Sequence, residues 1–276
     1  METRLNYKRT FLIGLAFLSI CSFWQMYDNI IPLILQNTYH LGETMTGAVM
    51  ALDNVLAIFL LPVFGTLSDK VHTKLGRRMP FIVAGTILAV IFMMLLPMID
   101  NAEKARWGTV ESFSNQVIFL AVLFFTLVSM GLYRSPAVAL MPDVTPNHLR
   151  SRANAVINLM GAVGGVYALI MIKVLVGKGE TPDYLPLFAS IAAVMAIAVG
   201  ILVMTIRENK LREEVEKAES ANAETIEEKA MAEGVEAVGE IEAVGDTGAV
   251  KASDGEKQTG KTEGTKGMPK EVKRSM

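Results

Sequence analysis

Asp28, Asp53 and Arg134 are ionisable residues that lie inside long apolar stretches of the sequence. On insertion scales, a charge at the centre of a membrane helix costs about 2.5–3.5 kcal/mol, so such side chains usually face a polar cavity or a partner. A carboxylic acid in such a cavity can take up and release a proton, because loss of water favours its neutral form. The sequence therefore predicts a polar cavity, with Asp53 and Asp28 as candidates for proton coupling.

Polar and aromatic residues surround these charges, and their types suit the binding of a sugar. Aromatic faces stack on pyranose rings, while amides and carboxylates form hydrogen bonds with hydroxyls. The candidates for a substrate cavity are Trp24, Gln25, Tyr27, Asn29, Asn54, Tyr133, Arg134 and Asn158. Asp53 has aliphatic neighbours and is assigned the coupling proton, whereas Asp28 lies among polar residues and is assigned to the substrate. The alternative, that the two carboxylates share one proton, stays open.

Six stretches are long and apolar enough to cross a membrane, which takes roughly 20 residues for about 30 Å of hydrocarbon. They run approximately over 11–35, 45–67, 79–98, 116–141, 153–176 and 184–206. Lipid offers the backbone no hydrogen bonds, so each stretch must be a helix, and we predict an all-α integral membrane protein. The first span of each group of three carries a charge and the third carries none. This pattern is typical of two inverted three-helix repeats whose first helices line a cavity and whose third helices face lipid.

Composition divides the chain into a membrane part and a charged tail. The 276 residues are 51% apolar with a mean hydropathy of +0.38, more than a soluble domain of this length can bury. Residues 1–206 carry 14 Lys and Arg against 11 Asp and Glu, whereas 207–276 carry 12 against 17. We predict a six-helix bundle over 1–206, followed over 207–276 by a largely disordered cytoplasmic tail or central loop. No basic field supports nucleic-acid binding, and the single cysteine excludes a disulfide scaffold.

Basic residues are concentrated in alternate connections of the six-span arrangement. Twelve of them share one side, namely Arg4, Lys8, Arg9, Lys70, Lys74, Arg77, Arg78, Arg150, Arg152, Arg207, Lys210 and Arg212. The opposite connections contain Lys104, Arg106 and Lys178, which are interspersed with acids. Because short loops rich in Lys and Arg stay in the cytoplasm, both termini are predicted to be cytoplasmic in a cell membrane that the chain crosses six times.

A motif of glycines, an acid and two bases lies between the second and third spans. It reads Pro62-Val63-Phe64-Gly65-Thr66-Leu67-Ser68-Asp69 and, after six residues, Gly76-Arg77-Arg78-Met79-Pro80-Phe81. This resembles the signature loop of the major facilitator superfamily, G-x-x-x-D followed by G-R-R/K. Gly65 allows close helix packing, Gly76 turns the chain, and Arg77 and Arg78 hold the loop on the basic side. Asp69 lies at a helix C-terminus, where the helix dipole disfavours an anion, so it needs a cation or a helix N-terminus as partner.

The fuller string, which continues as R-R-x-P-F-I, looks most like the sucrose/proton symporters of solute carrier family 45. It is also similar to the glycoside–pentoside–hexuronide cation symporters. A second stretch resembles both, Tyr133-Arg134-Ser135-Pro136-Ala137-Val138-Ala139-Leu140-Met141-Pro142-Asp143 followed by Arg150 and Arg152. Over residues 1–206, the resemblance implies the N-terminal six-helix half of a carrier that moves a sugar together with a proton by alternating access, without a cofactor.

The chain departs from the cation symporters at the carboxylates of helix 2 and helix 4. Ala57 and Leu61 occupy the acidic positions of their D-x-x-x-D-P motif, and Arg134 stands where they have an acid. Sodium coupling is therefore less expected than proton coupling. The superfamily has twelve helices in two halves, so we expect this chain to need a second six-helix half or a second copy, whether as a truncated, split or dimeric carrier.

Two other functions remain as alternatives. The first is a major facilitator carrier for another solute, such as a drug or an organic acid, because the cavity chemistry alone does not exclude it. The second is a non-transporting membrane scaffold or sensor whose acidic tail is the effector. An enzyme is not expected, because the spans contain neither a metal-ligand spacing nor a nucleophile–base spacing.

The predicted topology can be tested with reporters. A reporter fused after Ser220 should read cytoplasmic, and one inserted near Asn101 should read external, because the basic loops determine which ends stay inside. Paired alkaline phosphatase and fluorescent protein fusions at each position measure this. The opposite labelling at the two sites would contradict the six-span arrangement.

Overall fold

The computed structural model describes residues 6–71, 73–105, 113–177, 179, 182–217 and 219–221. These residues contain six long helices, α1 (Tyr7–Asn37), α2 (Glu43–Lys70), α3 (Met79–Lys104), α4 (Phe113–Asp143), α5 (Arg150–Leu175) and α6 (Leu185–Thr205). All six are long and apolar enough to cross a membrane. A 3-10 turn, Asn147–Leu149, joins α4 to α5, and residues 208–217 are helical after α6. The predicted fold class, an all-α multi-pass membrane protein, is confirmed.

Most of the helices extend beyond the apolar stretches from which they are predicted. α1 begins at Tyr7 and α3 continues to Lys104, whereas the apolar stretches cover 11–35 and 79–98. Hydropathy detects only the part of a helix inside hydrocarbon, and polar turns can continue the helix where their backbone groups find partners. At the start of α1, the side chain of Asn6 accepts a hydrogen bond from the Arg9 N–H (3.3 Å) and caps the helix.

Helix packing relates the unit α1–α3 to the unit α4–α6. α1 packs against α5 and α6, and α4 correspondingly packs against α2 and α3. α3 and α6 pack against each other, as do α1 and α4. Exchanging the two units maps α1–α5 onto α2–α4 and α1–α6 onto α3–α4, and it leaves α3–α6 and α1–α4 unchanged. Because three spans separate the starts of α1 and α4, these two helices cross the membrane in opposite directions, as in one half of a major facilitator fold with inverted repeats.

Small residues bring α1 and α5 into backbone contact. A Cβ atom built on Gly164 would lie 2.1 Å from the carbonyl oxygen of Leu18, so only glycine fits there. The Ser22 hydroxyl donates to the Gly164 carbonyl oxygen across the same contact (2.9 Å). One turn earlier, a Cβ atom on Gly161 would lie 2.9 Å from the Cys21 sulfur. Close approach through small residues is the usual way in which helices associate in lipid, where apolar burial supplies little driving force.

The ends of α1 and α3 are joined to the start of α6 by a buried cluster of Thr38, Asp100, Lys104 and Tyr184, called here the outer cluster. The fully buried Asp100 carboxylate accepts hydrogen bonds from the Thr38 hydroxyl (2.7 Å) and the Lys104 ammonium (2.6 Å). Lys104 also donates to the Pro182 carbonyl oxygen (2.6 Å), and its nitrogen lies 4.4 Å from the centre of the Tyr184 ring. The cluster fixes one end of the bundle.

α2 is the least buried of the six helices, because Thr46 and Ser68 are its only buried residues. We predict from the sequence that the third helices face lipid. In the structure, α3 and α6 each bury one face against the bundle and expose apolar side chains, such as Ile91 and Met204, on the other. The described residues also leave apolar side chains uncovered on α2 and α5, including Phe59 and Leu159.

Among the described residues, the turns that follow α6 pack against the bundle beyond residue 206, where the sequence predicts the bundle to end. Glu208, Leu211 and Val215 are buried, because the turns after α6 pack on the ends of other helices. Hydropathy predicts the end of the bundle at the last apolar residues. It does not detect charged helical turns that pack through ion pairs. The rest of the predicted tail, 222–276, lies outside the described residues.

The contact at Gly164 leads to a test of the α1–α5 packing. Gly164→Ala should destabilise the protein by about 1–3 kcal/mol, because the new methyl group meets the backbone of Leu18. The matched control is Gly200→Ala on α6, where a Cβ atom would meet nothing within 4 Å. It should be neutral or stabilising, since alanine favours helix by about 1 kcal/mol over glycine. Thermal unfolding of the purified protein in detergent measures both variants, and equal effects would contradict the close contact.

Candidate functional site

A polar cavity lies between α1 and α5, and we call it the α1–α5 cavity. Its volume is about 430 Å³, within the usual range of ligand sites. The α1 residues that line it recur every three or four positions and so share one face of the helix. The lining residues that carry polar or aromatic groups are Phe17, Cys21, Trp24, Gln25, Asp28 and Asn158. Gly161 and Gly165 of α5 also line the cavity, and their lack of side chains leaves the space open.

Trp24 is the centre of an aromatic group on α1. Its ring meets those of Phe23 and Tyr27 edge-on, with centroids 5.4 Å apart in both cases. The Arg134 guanidinium carbon lies 5.4 Å from the centre of the Trp24 ring, a cation–π contact between α4 and α1. Within the described part of the chain, the Trp24 indole N–H and the Tyr27 hydroxyl are buried without a hydrogen-bond partner. Buried polar groups are normally satisfied, so these two are available to a ligand or to water.

A second, smaller cavity of about 20 Å³ lies between α2 and α4, and Trp24 lines it as well. Asp53 and Arg134 contribute its charges, and aliphatic side chains form most of the remainder. Its volume is sufficient for about one water molecule, which needs about 10–15 Å³. The helices run parallel here, because Ser135 donates to the Leu61 carbonyl oxygen (2.8 Å) while Gly131 packs on Leu60. The part of α2 that lies beside Arg134 is therefore the turn at Leu61. Asp53 precedes Leu61 by eight residues, which is about 12 Å along the helix axis at 1.5 Å per residue.

The two candidate carboxylates, Asp28 and Asp53, line different cavities. Among the described residues, neither carboxylate forms an ion pair with Arg134 within 4 Å. Trp24 lies between the two cavities and contributes to the wall of both. One aromatic side chain thus connects the group assigned to the substrate with the group assigned to the proton.

Several other predicted cavity residues lie away from these walls. Asn29 is exposed and donates to the Gln25 carbonyl oxygen (2.7 Å), and Asn54 is exposed and donates to the Asp53 carboxylate (3.0 Å). Tyr133 is fully buried, and its hydroxyl bonds to the Ser19 hydroxyl (2.6 Å) and to the Ala16 carbonyl oxygen (3.1 Å). In this structure Tyr133 joins α4 to α1 inside the packing and lines neither cavity. The position of Tyr133 in the sequence does not predict this role, because the helices that pack against α4 determine which of its faces is buried.

The signature loop forms an ion-pair network at the opposite end of the bundle from the outer cluster. Arg78 is its centre and is buried between α2 and α4. Its guanidinium pairs with Asp69 (2.9 Å) and Asp143 (2.5 Å) and donates to the Ser68 hydroxyl (3.1 Å). Arg77 adds a longer contact to Asp143 (3.5 Å). Asp69 thus has the cationic partner that its place at the end of α2 requires.

The other signature residues have distinct surroundings. A Cβ atom on Gly65 would lie 3.4 Å from the Ser135 hydroxyl oxygen, so this glycine marks a close approach of α2 to α4. Arg150 donates to the carbonyl oxygens of Pro142 (2.9 Å) and Thr145 (3.2 Å) and so satisfies the end of α4. Arg152 is exposed.

Three residues of these sites are not among the sequence predictions. Cys21 lines the α1–α5 cavity, and its spacing of seven residues from Asp28 on one helix face is a signal that sequence reasoning can use. Ser19 fixes Tyr133, and Glu208 binds the backbone of the signature loop. No local pattern distinguishes Glu208 from the other charged residues that follow α6. In the described residues, no group of three or more His, Cys, Asp or Glu side chains is placed to hold a metal ion.

Comparison with known proteins assigns these features to a family. A sequence model of the Major Facilitator Superfamily matches residues 4–250. A sucrose transport protein of Oryza sativa subsp. japonica is 26% identical over 137 residues, which are 47% of this chain and 27% of that protein. A sucrose transport protein of Arabidopsis thaliana is 34% identical over 116 residues, or 40% and 22% of the two chains. An uncharacterized symporter of Synechocystis is 24% identical over 144 residues, or 50% and 25%.

The matched segments span about a quarter of the length of these curated relatives. The family match itself covers most of the chain, including all six helices and the signature loop. The six membrane helices, the exchange symmetry of their contacts and the ion pairs of the loop agree with that match. The chain is therefore a membrane-embedded member of the Major Facilitator Superfamily, a superfamily of transporters, and its six helices form one half of that fold.

Proposed function

We propose that the chain is half of a secondary active transporter that moves a sugar or glycoside together with a proton. The observation that carries this proposal is the α1–α5 cavity, which combines a carboxylate, two amides and an aromatic ring in about 430 Å³. Asp28, Gln25 and Asn158 supply acceptors and donors for hydroxyls, and Trp24 supplies a ring face. The names of the similar sucrose transport proteins support the same class of substrate.

The proton-coupling role is assigned to Asp53, with Asp28 in substrate binding. Asp53 shares a small and mostly aliphatic cavity with Arg134, and that cavity has room for about one water molecule as a proton donor or acceptor. Asp28 lies in the wider cavity beside Gln25 and Asn158. Protonation of Asp53 also alters the field at Asp28, since the two charges interact. Binding of the proton and of the substrate are thus linked through neighbouring carboxylates.

A second six-helix half or a second copy completes the transporter in this proposal. The α1–α5 cavity is open on one side, and apolar side chains of α2 and α5 are exposed on the flanking helices. Closing the cavity on alternate sides requires a facing bundle against which this one can rock. The assembly lies in the cell membrane with both termini of the chain in the cytoplasm, as the distribution of Lys and Arg indicates.

A carrier for an organic anion is the second candidate. Arg134 faces the cavity between α2 and α4 without a paired carboxylate among the described residues, and a cation so placed can attract an anionic substrate. Uptake measurements with labelled sucrose, a phenyl glucoside and a dicarboxylate distinguish the two candidates. Sugar uptake that requires an inward proton gradient supports the first, and uptake of the dicarboxylate alone supports the second.

Cys21, the only cysteine in the sequence, reports on occupation of the α1–α5 cavity. In native membranes, a sugar at about ten times its dissociation constant should slow maleimide labelling of Cys21 by about tenfold, by mass action. Asn158→Ala should abolish this protection at the same sugar concentration, because Asn158 lines the cavity. The control is Asn154→Ala, an exposed asparagine one turn away that is not part of the wall. Equal protection in both variants would contradict this location of the substrate site.

The division of roles between the two carboxylates has its own test in the assembled transporter. Asp53→Asn should abolish accumulation of substrate against its gradient while exchange down the gradient continues, because the neutral side chain cannot carry the proton. Asp28→Asn should weaken substrate affinity by about tenfold and slow both modes, as expected for loss of a charge-assisted hydrogen bond. Proteoliposome uptake with and without a pH gradient measures both. The reverse pattern would require the two roles to be exchanged.

A further inference from the structure

Glu208, the third residue beyond the end of α6 at Thr205, is buried although it belongs to a highly charged stretch. Only 1% of its surface is exposed. Its carboxylate accepts hydrogen bonds from the backbone N–H groups of Arg77 (2.9 Å), Arg78 (3.1 Å) and Met79 (3.1 Å). Met79 is the first residue of α3, Arg78 is its N-cap and Arg77 precedes the cap, and the side chain of Arg78 makes no capping hydrogen bond. Glu208 therefore satisfies amides that would otherwise lack partners, and its charge suits the positive end of the helix dipole.

Gly76 of the signature loop lies against the same carboxylate. Gly76 has a φ angle of 129°, a backbone conformation that residues with a side chain rarely adopt. A Cβ atom there would lie 2.1 Å from the Glu208 carboxylate oxygen. The glycine of the signature loop is therefore required twice, for its backbone angle and for the space that Glu208 occupies.

The backbone that Glu208 holds also carries the two arginines of the ion-pair network. Arg78 reaches from this point to Asp69 on α2 and to Asp143 on α4. A long side chain can place its guanidinium between two carboxylates reproducibly only when its own backbone is fixed. Glu208 thus acts on Asp69 and Asp143 through Arg78, without contacting either of them.

The helical turns that follow Glu208 contact the ends of three other helices. The side chain of Asn209 donates to the carbonyl oxygens of Thr73 (3.0 Å) and Lys74 (3.3 Å). Glu214 pairs with Arg9 at the start of α1 (3.0 Å). Glu219 accepts from the Asn147 N–H (3.2 Å) and lies 3.9 Å from Arg150, at the connection of α4 to α5.

We propose that residues 207–217 and 219–221, named here the strap, form an integral part of the transport half, and that Glu208 is the positioning residue of the signature loop. By capping α3, Glu208 fixes Arg78 between Asp69 and Asp143 and so joins α2, α3, α4 and α6 at one end of the bundle. The proposal does not depend on which solute the transporter carries.

The first test measures tryptic cleavage in the loop between α2 and α3, using the full chain in detergent. Glu208→Gln keeps the size of the side chain but removes the charge that accepts the amide hydrogen bonds. Cleavage after Lys74 or Arg77 should become about tenfold faster, as expected for loss of charge-assisted bonds. The matched control is Glu214→Gln in the same strap, whose pair with Arg9 is largely exposed and whose loss should change the rate by less than about twofold. Equal rates in the two variants would overturn the proposal.

The second test asks whether Glu208 acts through Arg78. Glu208→Gln and Asp143→Asn are combined, and the melting temperatures of the single and double variants are compared. The double variant should lose clearly less than the sum of the single losses, because both act on the same guanidinium. Additive losses would show that Glu208 stabilises the fold without positioning Arg78 and would overturn that part of the proposal.

The third test leaves Glu208 unchanged, so a folding defect of the Gln variant cannot hide the result. In a Cys21→Ser background, the pair Lys74→Cys and Asn209→Cys should be joined rapidly by a short bis-maleimide, since Asn209 contacts the backbone of Lys74. The control pair is Lys74→Cys and Ser220→Cys, at the far end of the strap. Cross-linking of the first pair no faster than the control would overturn the docking of the strap. None of these measurements requires transport, so their failure is distinguishable from failure of the proposed function.

Discussion

The backbone contact between α1 and α5 at Gly164 is the constraint on which the candidate site depends. Lipid provides little apolar driving force between helices, so the helices must approach closely enough for dispersion forces and interhelical hydrogen bonds to act. Gly164 allows the carbonyl oxygen of Leu18 to approach the backbone of α5, and the Ser22 hydroxyl donates a hydrogen bond to the Gly164 carbonyl oxygen. Gly161 and Gly165 of the same helix line the cavity beside it. The same run of glycines thus permits both the tight contact and the open space.

The two ends of the bundle are fixed by buried charges, while the middle contains polar groups without partners. At one end, Asp100 is satisfied by Thr38 and Lys104. At the other, Arg78 is satisfied by Asp69 and Asp143. Breaking a buried pair by removing one partner costs about 3–5 kcal/mol, so both ends resist rearrangement. Between them, the Trp24 N–H and the Tyr27 hydroxyl have no partner in the described residues. A bundle of this kind can move as one rigid body while its centre remains free to bind.

The sequence predicts the helices and their order well, because a charge-poor run of about 20 residues has only one stable backbone conformation in lipid. The signature loop is also predictable, since Gly76, Arg77 and Arg78 are close in sequence and lie between two spans. Side-chain placement is less accessible. Tyr133 looks like a cavity residue because it precedes Arg134, yet its hydroxyl is used by Ser19 on a helix more than a hundred positions away. The role of Glu208 is not predictable from the sequence for the same reason, since its hydrogen-bond partners lie about 130 positions earlier in the chain.

The exchange symmetry of the helix contacts does not extend to the charged side chains. α1 and α4 occupy equivalent places, and the contact of Trp24 with Arg134 joins these two central helices. α2 and α5 are also equivalent, but α2 contributes Asp53 to a small cavity, whereas α5 contributes Asn158 to a wide one. A single packing pattern therefore produces two cavities of different size and polarity that share Trp24. The smaller one suits a proton and a water molecule and the larger one suits an organic solute, with Trp24 as their common wall. In the proposed function, a change of charge at Asp53 would reach Asp28 across that wall, so the asymmetry of the side chains would provide coupling that the symmetric backbone alone does not.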